Sequence, residues 1–365
     1  MTIEDLRSRV QRDIDAGVLP SAQVALAKDG ELLLFETFGD ADNDTRYIIF
    51  SATKAIVAGA AWILIGEGAL DPDKRVAEYI PEFGTNDKDV ITVEQVMLHT
   101  SGFPRAPLGP PDWADRDKRL AAFSKWRLNW EPGTAFEYHP TSAHWVLAEL
   151  IERTGGMDYR EFINTRINEP LGLKLGVGVP KDQQQNIAEI QNTGEAPSPE
   201  ELEKAIGIRE LPLGEVTPEA LLGFNDPDAR AVGVPGGGGI TNAANLALYY
   251  QALLHNPDKI WDPGVLADVT GRVRNTFPDP MMGVPANRAL GVVVAGDDGK
   301  ASARGFGKTQ SPRTFGHNGA GGQLAWADPD SGISLAYLTN GMDQNMIREW
   351  KRGVAIGSLA ASALD

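Results

Sequence analysis

Apolar residues in this chain come in two rhythms. In the opening stretch Met1-Thr2-Ile3-Glu4-Asp5-Leu6-Arg7-Ser8-Arg9-Val10 they recur every three or four positions among charges, which predicts an amphipathic first helix. Residues 22–28 and 31–39 then read as two extended runs around Asp29-Gly30, a dipeptide suited to a tight hairpin turn. After Tyr47-Ile48-Ile49-Phe50 the rhythm changes again. Residues 55–65 are apolar on every side, which predicts a buried helix opening near Ser51. Thr92 and Gln95 make a capping box for a helix that ends at Leu98-His99-Thr100-Ser101-Gly102. Residues 142–153 form an amphipathic helix stopped by Gly155-Gly156, and the Gly236–Gly239 turn leads into a helix capped by Thr241 or Asn242. The chain returns to extended runs at 290–294, 314–327 and 333–339, the last two joined through Asp328-Pro329-Asp330-Ser331-Gly332. A closing helix is expected over 349–364.

Strands at both ends with helices between them predict an α/β (α+β) fold. One antiparallel sheet is built from both termini and flanked by helices, with a mostly helical domain inserted. The expected division gives residues 1–75 and 286–365 to the sheet and 76–285 to the helical domain with its rim loops. Residues 183–228 are polar, acidic and dotted with proline, which reads as a long excursion or a lid. No internal repeat is visible.

Composition narrows the function. The 365 residues carry a formal charge of −16 and a sequence pI near 4.8, so phosphate-rich partners such as nucleic acid or an anionic membrane are disfavoured. With no cysteine, thiolate catalysis, disulfides and Cys-ligated zinc are excluded. The first residues lack the basic and apolar regions of an export signal, and the longest apolar run is far short of the roughly 20 residues a membrane helix needs. A soluble cytoplasmic protein is the expectation. Gly236–Gly239 fails the Gly-x-Gly-x-x-Gly spacing. Ser302–Thr309 ends like a phosphate loop but has Ser302 in place of the first glycine, with Pro312 soon after. No cofactor or metal is expected.

Ser51-Ala52-Thr53-Lys54 puts a hydroxyl and an amine on one helical face at the head of the most apolar helix. Burial there disfavours the ammonium, and a neutral amine can accept the Ser51 proton. On chance alone a chain of this length holds on the order of one Ser-x-x-Lys, so the motif by itself is weak. It gains weight because no other serine has lysine three positions later. His99 is a candidate base, although a lone histidine at a helix end more often fixes a turn. Tyr138 lies on a strand-to-helix loop.

Ser51-x-x-Lys54, Leu98-His99-Thr100-Ser101-Gly102, Tyr138 and His317-Asn318-Gly319 occur in the order and spacing of the serine β-lactamase-like superfamily. Over nearly its whole length the chain resembles the branch that holds class C β-lactamases and family VIII carboxylesterases, together with DD-peptidases and related amidases. The resemblance implies that Ser51 attacks an ester or amide carbonyl while Lys54 and Tyr138 share its proton. It also implies that the N–H groups of Ser51 and Ala320 hold the oxyanion, and that Gly319 leaves the strand edge open. His317, in the place of the lactamases' Lys, would donate to substrate or to Tyr138, with Asn318 beside it in the substrate-binding strand. Two departures favour an ester over a lactam. The family's Tyr-x-Asn reads Tyr138-His139-Pro140 here, which removes a side-chain amide. Lys308-Thr309-Gln310 imitates Lys-Thr-Gly but lacks its glycine and hairpin. His139 and His144 read as structural. Phe103, Trp113, Trp126 and Trp130 are candidates for an acyl or aryl pocket, or ordinary core. The expected partner is a small-molecule ester, with acyl transfer as a side activity. An amide or lactam hydrolase, or a non-catalytic binding protein on the same fold, are the competing readings.

Overall fold

The computed structural model describes residues 2–210 and 216–364. Helix α1 (Ile3–Asp15) is capped reciprocally: Asp5 N–H donates to the Thr2 hydroxyl and Thr2 N–H to the Asp5 carboxylate. Strands β1 (Ser21–Lys28) and β2 (Glu31–Gly39) form the expected hairpin, with Asp29 at φ 54° and Gly30 at φ 81° in the turn. Helices α2 (Thr53–Gly66), α3 (Ser142–Gly155) and α4 (Ala243–His255) follow. Strands β3 (Val293–Val294), β4 (Phe315–Gly316), β5 (Leu324–Asp328) and β6 (Ile333–Thr339) then precede α5 (Met346–Ala361).

The sheet order is β2-β1-β6-β5-β4-β3. Strand β1 lies antiparallel to β6, with Ala22 opposite Thr339 and Lys28 opposite Ile333, so the two ends of the chain share one sheet. Period-2 alternation sorts its faces. Ala22, Val24 and Leu26 with Leu335 and Tyr337 pack on Leu6 and Val10 of α1 and Ile356 and Ala360 of α5. Ala25, Ala27, Ala336 and Leu338 face a larger core shared with α2, α3 and α4.

Small residues on that second face let α4 lie directly on the sheet. The Gln251 amide donates to Ala27 O at 2.9 Å, Gly332 O at 3.0 Å and the Ser334 hydroxyl at 3.0 Å. Helix α4 falls within residues 76–285, expected to be inserted helical structure, yet it is the sheet's own covering layer. Sequence position could not reveal this, because α4 reads as apolar on most sides and its docking depends on alanines of β1 and β6.

Every residue from Thr53 to Leu64 of α2 is buried. Gly59 makes the packing possible: a Cβ there would sit 2.2 Å from the Tyr249 hydroxyl, which donates to Ala55 O at 2.9 Å. The helix after the glycine turn is capped by Asn242, whose side chain accepts from Asn245 N–H. Thr241 instead ends a short strand, Gly239–Thr241, between Tyr47–Ile48 and Gly176–Val177. The closing helix starts at Met346 rather than 349, because Asn345 caps it by accepting from Arg348 N–H.

Of the 183–228 excursion, residues 211–215 lie outside the described residues. Parts of the rest are anchored. Gln191–Thr193 pairs with Gly341–Asp343, and Ile190 and Phe224 join Ile48, Phe50, Ile240 and Met342 in a third apolar cluster. Among the described residues, no helix is long and apolar enough to cross a membrane.

Candidate active site

The backbone entering α2 is bent before Ser51. Phe50 sits at φ 43°, a left-handed conformation that costs a bulky residue on the order of 1–3 kcal/mol and persists only where its surroundings hold it. They do so here. Phe50 O accepts from Thr53 N–H at 2.9 Å and from the Thr53 hydroxyl at 2.6 Å, its backbone bridges to Gly238, and its ring meets Phe224 edge-on at 5.8 Å. The glycines of the 236–239 turn are needed for close approach: a Cβ on Gly239 would lie 2.5 Å from the Thr53 hydroxyl, and one on Gly236 2.7 Å from Pro140 O. The helix proper begins at Thr53, with Ser51 and Ala52 in the turn ahead of it.

Ser51, Lys54 and Tyr138 meet in this bend. Lys54 Nζ lies 3.1 Å from Ser51 Oγ, and the Tyr138 hydroxyl donates to the same Oγ at 2.9 Å. The lysine side chain is fully buried; its nitrogen also donates to Pro140 O at 2.7 Å and to Gly236 O. Desolvation pushes the Lys54 amine well below its ordinary range, and the Arg288 charge pushes it further in the same direction. A neutral amine has two N–H groups and one lone pair. The two carbonyls take the hydrogens, which leaves the lone pair facing the Ser51 hydroxyl. Burial raises the Tyr138 phenol to about 12, against the opposing pull of Arg288 and the Ser51 bond, so it is a proton donor at neutral pH.

Two histidines fix the loop that carries Tyr138. His99, buried and at φ 57°, accepts from His139 N–H through Nδ1 at 3.2 Å, and its ring packs on Tyr138 with centroids 4.9 Å apart. His139 lies 2.6 Å from Glu137 O through Nδ1, so Nε2 is the acceptor for Phe103 N–H and for the Ser101 hydroxyl, each at 3.1 Å. His99 therefore holds a turn and makes no bond to Ser51. His144 stacks on His99 at 5.8 Å, and neither of its ring nitrogens has a partner among the described residues.

The segment from His317 to Ala320 lies against Phe50 and Ser51. A Cβ on Gly319 would come within 2.2 Å of Ile49 O, and Ala320 packs on the cluster that holds Phe50. Among the described residues neither Ser51 N–H nor Ala320 N–H has an intramolecular acceptor. Two of the expected side-chain roles need correction. His317 Nδ1 is 2.9 Å from Asn318 O and must carry the hydrogen, so Nε2 is an acceptor; it faces Arg288 Nη1 at 3.4 Å. The ring has no free N–H to donate to substrate or to Tyr138. Asn318 is also committed elsewhere, donating to Gly305 O at 2.6 Å and accepting from Ala325 N–H at 3.0 Å, which braces β5 rather than a ligand.

Of the aromatic candidates, Phe103 and Trp126 are core, stacked at 5.8 Å, whereas Trp113 and Trp130 are half-exposed. Lys308 and Thr309 bond to Ser358 of α5, apart from this constellation. Sequence reasoning missed Arg288, a buried guanidinium packed on the Phe136 and Tyr138 rings at 5.2 Å from each. Nothing in Asn287-Arg288-Ala289-Leu290 marks it, since its role depends on a fold that brings residues 138 and 317 beside it. Among the described residues, no cluster of acidic and histidine side chains could hold a metal ion.

Residues 6–356 match the family model described as Beta-lactamase. The chain is 28% identical over 321 residues to the Esterase/beta-lactamase LipL of Mycobacterium tuberculosis, covering 81% of this chain and 70% of that protein. It is 26% identical over 368 residues to a putative D-alanyl-D-alanine carboxypeptidase of Salmonella agona, covering 91% and 81%. Its fold superimposes on the crystal structure of a family VIII carboxylesterase with a TM-score of 0.80 and 25% identity, covering 98% of this chain and 97% of the other.

Proposed function

The chain belongs to the Beta-lactamase family, and from that premise we propose that it is a serine carboxylesterase for short-chain or aryl esters. Ser51 Oγ attacks the ester carbonyl as its proton passes to the Lys54 lone pair. The N–H groups of Ser51 and Ala320 receive the oxyanion. The proton then moves through Tyr138 to the leaving alkoxide, which departs as the alcohol and leaves an acyl group on Ser51. Water, losing its proton to Lys54, attacks the acyl carbonyl and frees the acid and Ser51. Transfer of the acyl group to an alcohol in place of water is the corresponding side activity.

The observation that carries this reading is the buried Lys54 amine, its hydrogens occupied by Pro140 O and Gly236 O and its lone pair left for Ser51. What favours an ester over an amide is the lack of a free side-chain donor at Pro140, His317 and Asn318. Pro140 has none, the His317 ring has no free N–H, and the Asn318 amide is turned to Gly305. An amide or lactam brings polar groups that need partners in a desolvated site, and an ester brings fewer. The family VIII carboxylesterase and the Esterase/beta-lactamase LipL support the same choice, and the carboxypeptidase relative keeps the amide as the comparison substrate.

The test is hydrolysis of p-nitrophenyl butyrate beside nitrocefin and a D-Ala-D-Ala peptide. The ester should be turned over far faster than either amide, and Ser51→Ala and Lys54→Ala should each lose about 10²–10⁴ in kcat. Full ester activity in either variant, or a preference for nitrocefin or the peptide, refutes the proposal.

A further inference from the structure

Arg288 is the one strong cation beside the nucleophile that the scheme above does not use. The residue is 8% exposed, and among the described residues it makes no ion pair. Asp279, on the same hairpin, attracts it without forming an ion pair. Arg288 Nε is buried without a partner. A guanidinium left this way costs several kcal/mol in an ordinary core, which calls for a reason in the site it faces.

The backbone around it is rigid. Arg288 N–H donates to Asn275 O at 3.0 Å, and its carbonyl accepts from Asn275 N–H at 3.1 Å and Arg274 N–H at 2.8 Å. The Asn275 side chain donates to Leu98 O at 3.0 Å, so this hairpin is tied to the turn that carries His99. From that base the guanidinium reaches the Tyr138 ring at 5.2 Å, while Lys54 Nζ lies 5.0 Å from the centroid of the same ring. The other groups around the amine are Tyr138, His99 and His144 from the helical side and His317 from the sheet. None of these is acidic.

We propose that Arg288 is a positioning residue of this site: packed on the Tyr138 ring and bonded to His317 Nε2, it fixes the phenol against Ser51 and supplies the permanent positive charge against which Lys54 stays an amine. The inference rests on the serine-acylation reading above. Two cations sharing one desolvated phenol cannot both be retained cheaply, and the guanidinium does not give up its proton. The proton is therefore lost from lysine, the group whose lone pair Ser51 needs.

An elementary charge acting over about 10 Å at an effective dielectric constant near 20 moves a proton equilibrium by about one pH unit. Without Arg288, Lys54 holds its proton to higher pH. The experiment measures the rate of Ser51 labelling by a fluorophosphonate, and kcat/KM for p-nitrophenyl butyrate, from pH 5 to 10 in the unaltered protein, Arg288→Gln and Arg288→Lys. The acidic limb of both profiles should move up by about one pH unit in Arg288→Gln and part of that way in Arg288→Lys, whose buried ammonium can itself give up its proton, with KM little changed. A folded Arg288→Gln protein whose limb does not move overturns the proposal. Should Arg288→Gln fail to fold, ¹⁵N NMR of the His317 ring in the unaltered protein decides. Nδ1 protonated and Nε2 bare from pH 6 to 9 supports the proposal, and a proton on Nε2 overturns it. If the unaltered protein neither labels at Ser51 nor cleaves the ester, it is the serine-acylation reading that fails; if it does both and only the Arg288 prediction misses, that reading stands.

Discussion

At Gly319 one added methyl group bears on both folding and reactivity. The ideal Cβ position is 2.2 Å from Ile49 O, two residues before Ser51, so an alanine there must push the Ala320 N–H and the Ser51 N–H apart by about 1 Å. Gly319 itself is extended, at φ −110°, so alanine meets no backbone strain, and the cost falls on the spacing of the two strands of chain. Gly319→Ala should lower kcat for the ester by about 10²-fold, since a misplacement of this size costs that much in a reacting geometry, and should also lower the urea midpoint, because the obstacle is backbone. Single-turnover acylation kinetics with an unfolding curve check it. A loss of stability without loss of kcat would mean that the contact is packing alone. Tyr138→Phe tests the neighbouring bond to Ser51 Oγ: it should slow acylation by about 10²–10⁴, because no other hydroxyl donates to that oxygen among the described residues.

At the scale of an element, α2 is held by a close crossing with α4. Gly59→Ala would put its Cβ 2.2 Å from the Tyr249 hydroxyl but 3.4 Å from the ring carbon that bears it, which is ordinary contact. The alanine should therefore destabilise by about 1–3 kcal/mol in the native background and by less than about 1 kcal/mol in Tyr249→Phe. Urea denaturation of the two single variants and the double variant measures the coupling, and strictly additive effects would show that the hydroxyl is not the obstacle. The same crossing shows where sequence reading stops. That α2 is buried, and that Ser51 and Lys54 open it, is legible in residues 51–65 because the apolar run is uninterrupted. The need for glycine at position 59 is not, since it depends on a tyrosine 190 positions later. In the same way the order of the four motifs is readable along the chain. The commitment of Asn318 to Gly305 and the arrival of Arg288 depend on segments that only the fold brings together, and the tautomer of His317 depends on how the chain turns at Asn318.

Across the whole molecule, the charge inside the site is opposite to that of the surface. The chain carries −16 overall, yet Lys54, Arg288, His99, His139, His144 and His317 lie buried together with no carboxylate among them. Four of the five histidines are in this set. Desolvation is the main cause that holds all four below the ordinary imidazole range, His139 at about 3, and the Arg288 charge pushes each further down. A base whose folded affinity for the proton is depressed takes up that proton on unfolding. Its contribution to stability is present above the unfolded value of about 6.5 and is lost as the pH falls below it, by about 1.4 kcal/mol per pH unit for each ring.

Glu349 acts in the opposite sense, its carboxyl raised by burial to about 7, so the stability it gives is present at low pH and lost as the pH rises through 7. Glu349 offsets one ring while the Lys54 amine takes up a proton as well, so unfolding near pH 5.5 takes up several protons, each worth about 1.4 kcal/mol per pH unit. Their sum is a large share of the stability of a typical domain, so the protein should unfold steeply between pH 6 and 5. His144 is the cleanest probe, because both its ring nitrogens are buried without partners and a leucine there forfeits no hydrogen bond. His144→Leu should cut the proton uptake by about one and raise stability at pH 5 by about 2 kcal/mol more than at pH 8. Urea unfolding at several pH values gives the slope directly, and an unchanged slope would mean that this ring exchanges its proton as freely in the folded chain as in the unfolded one.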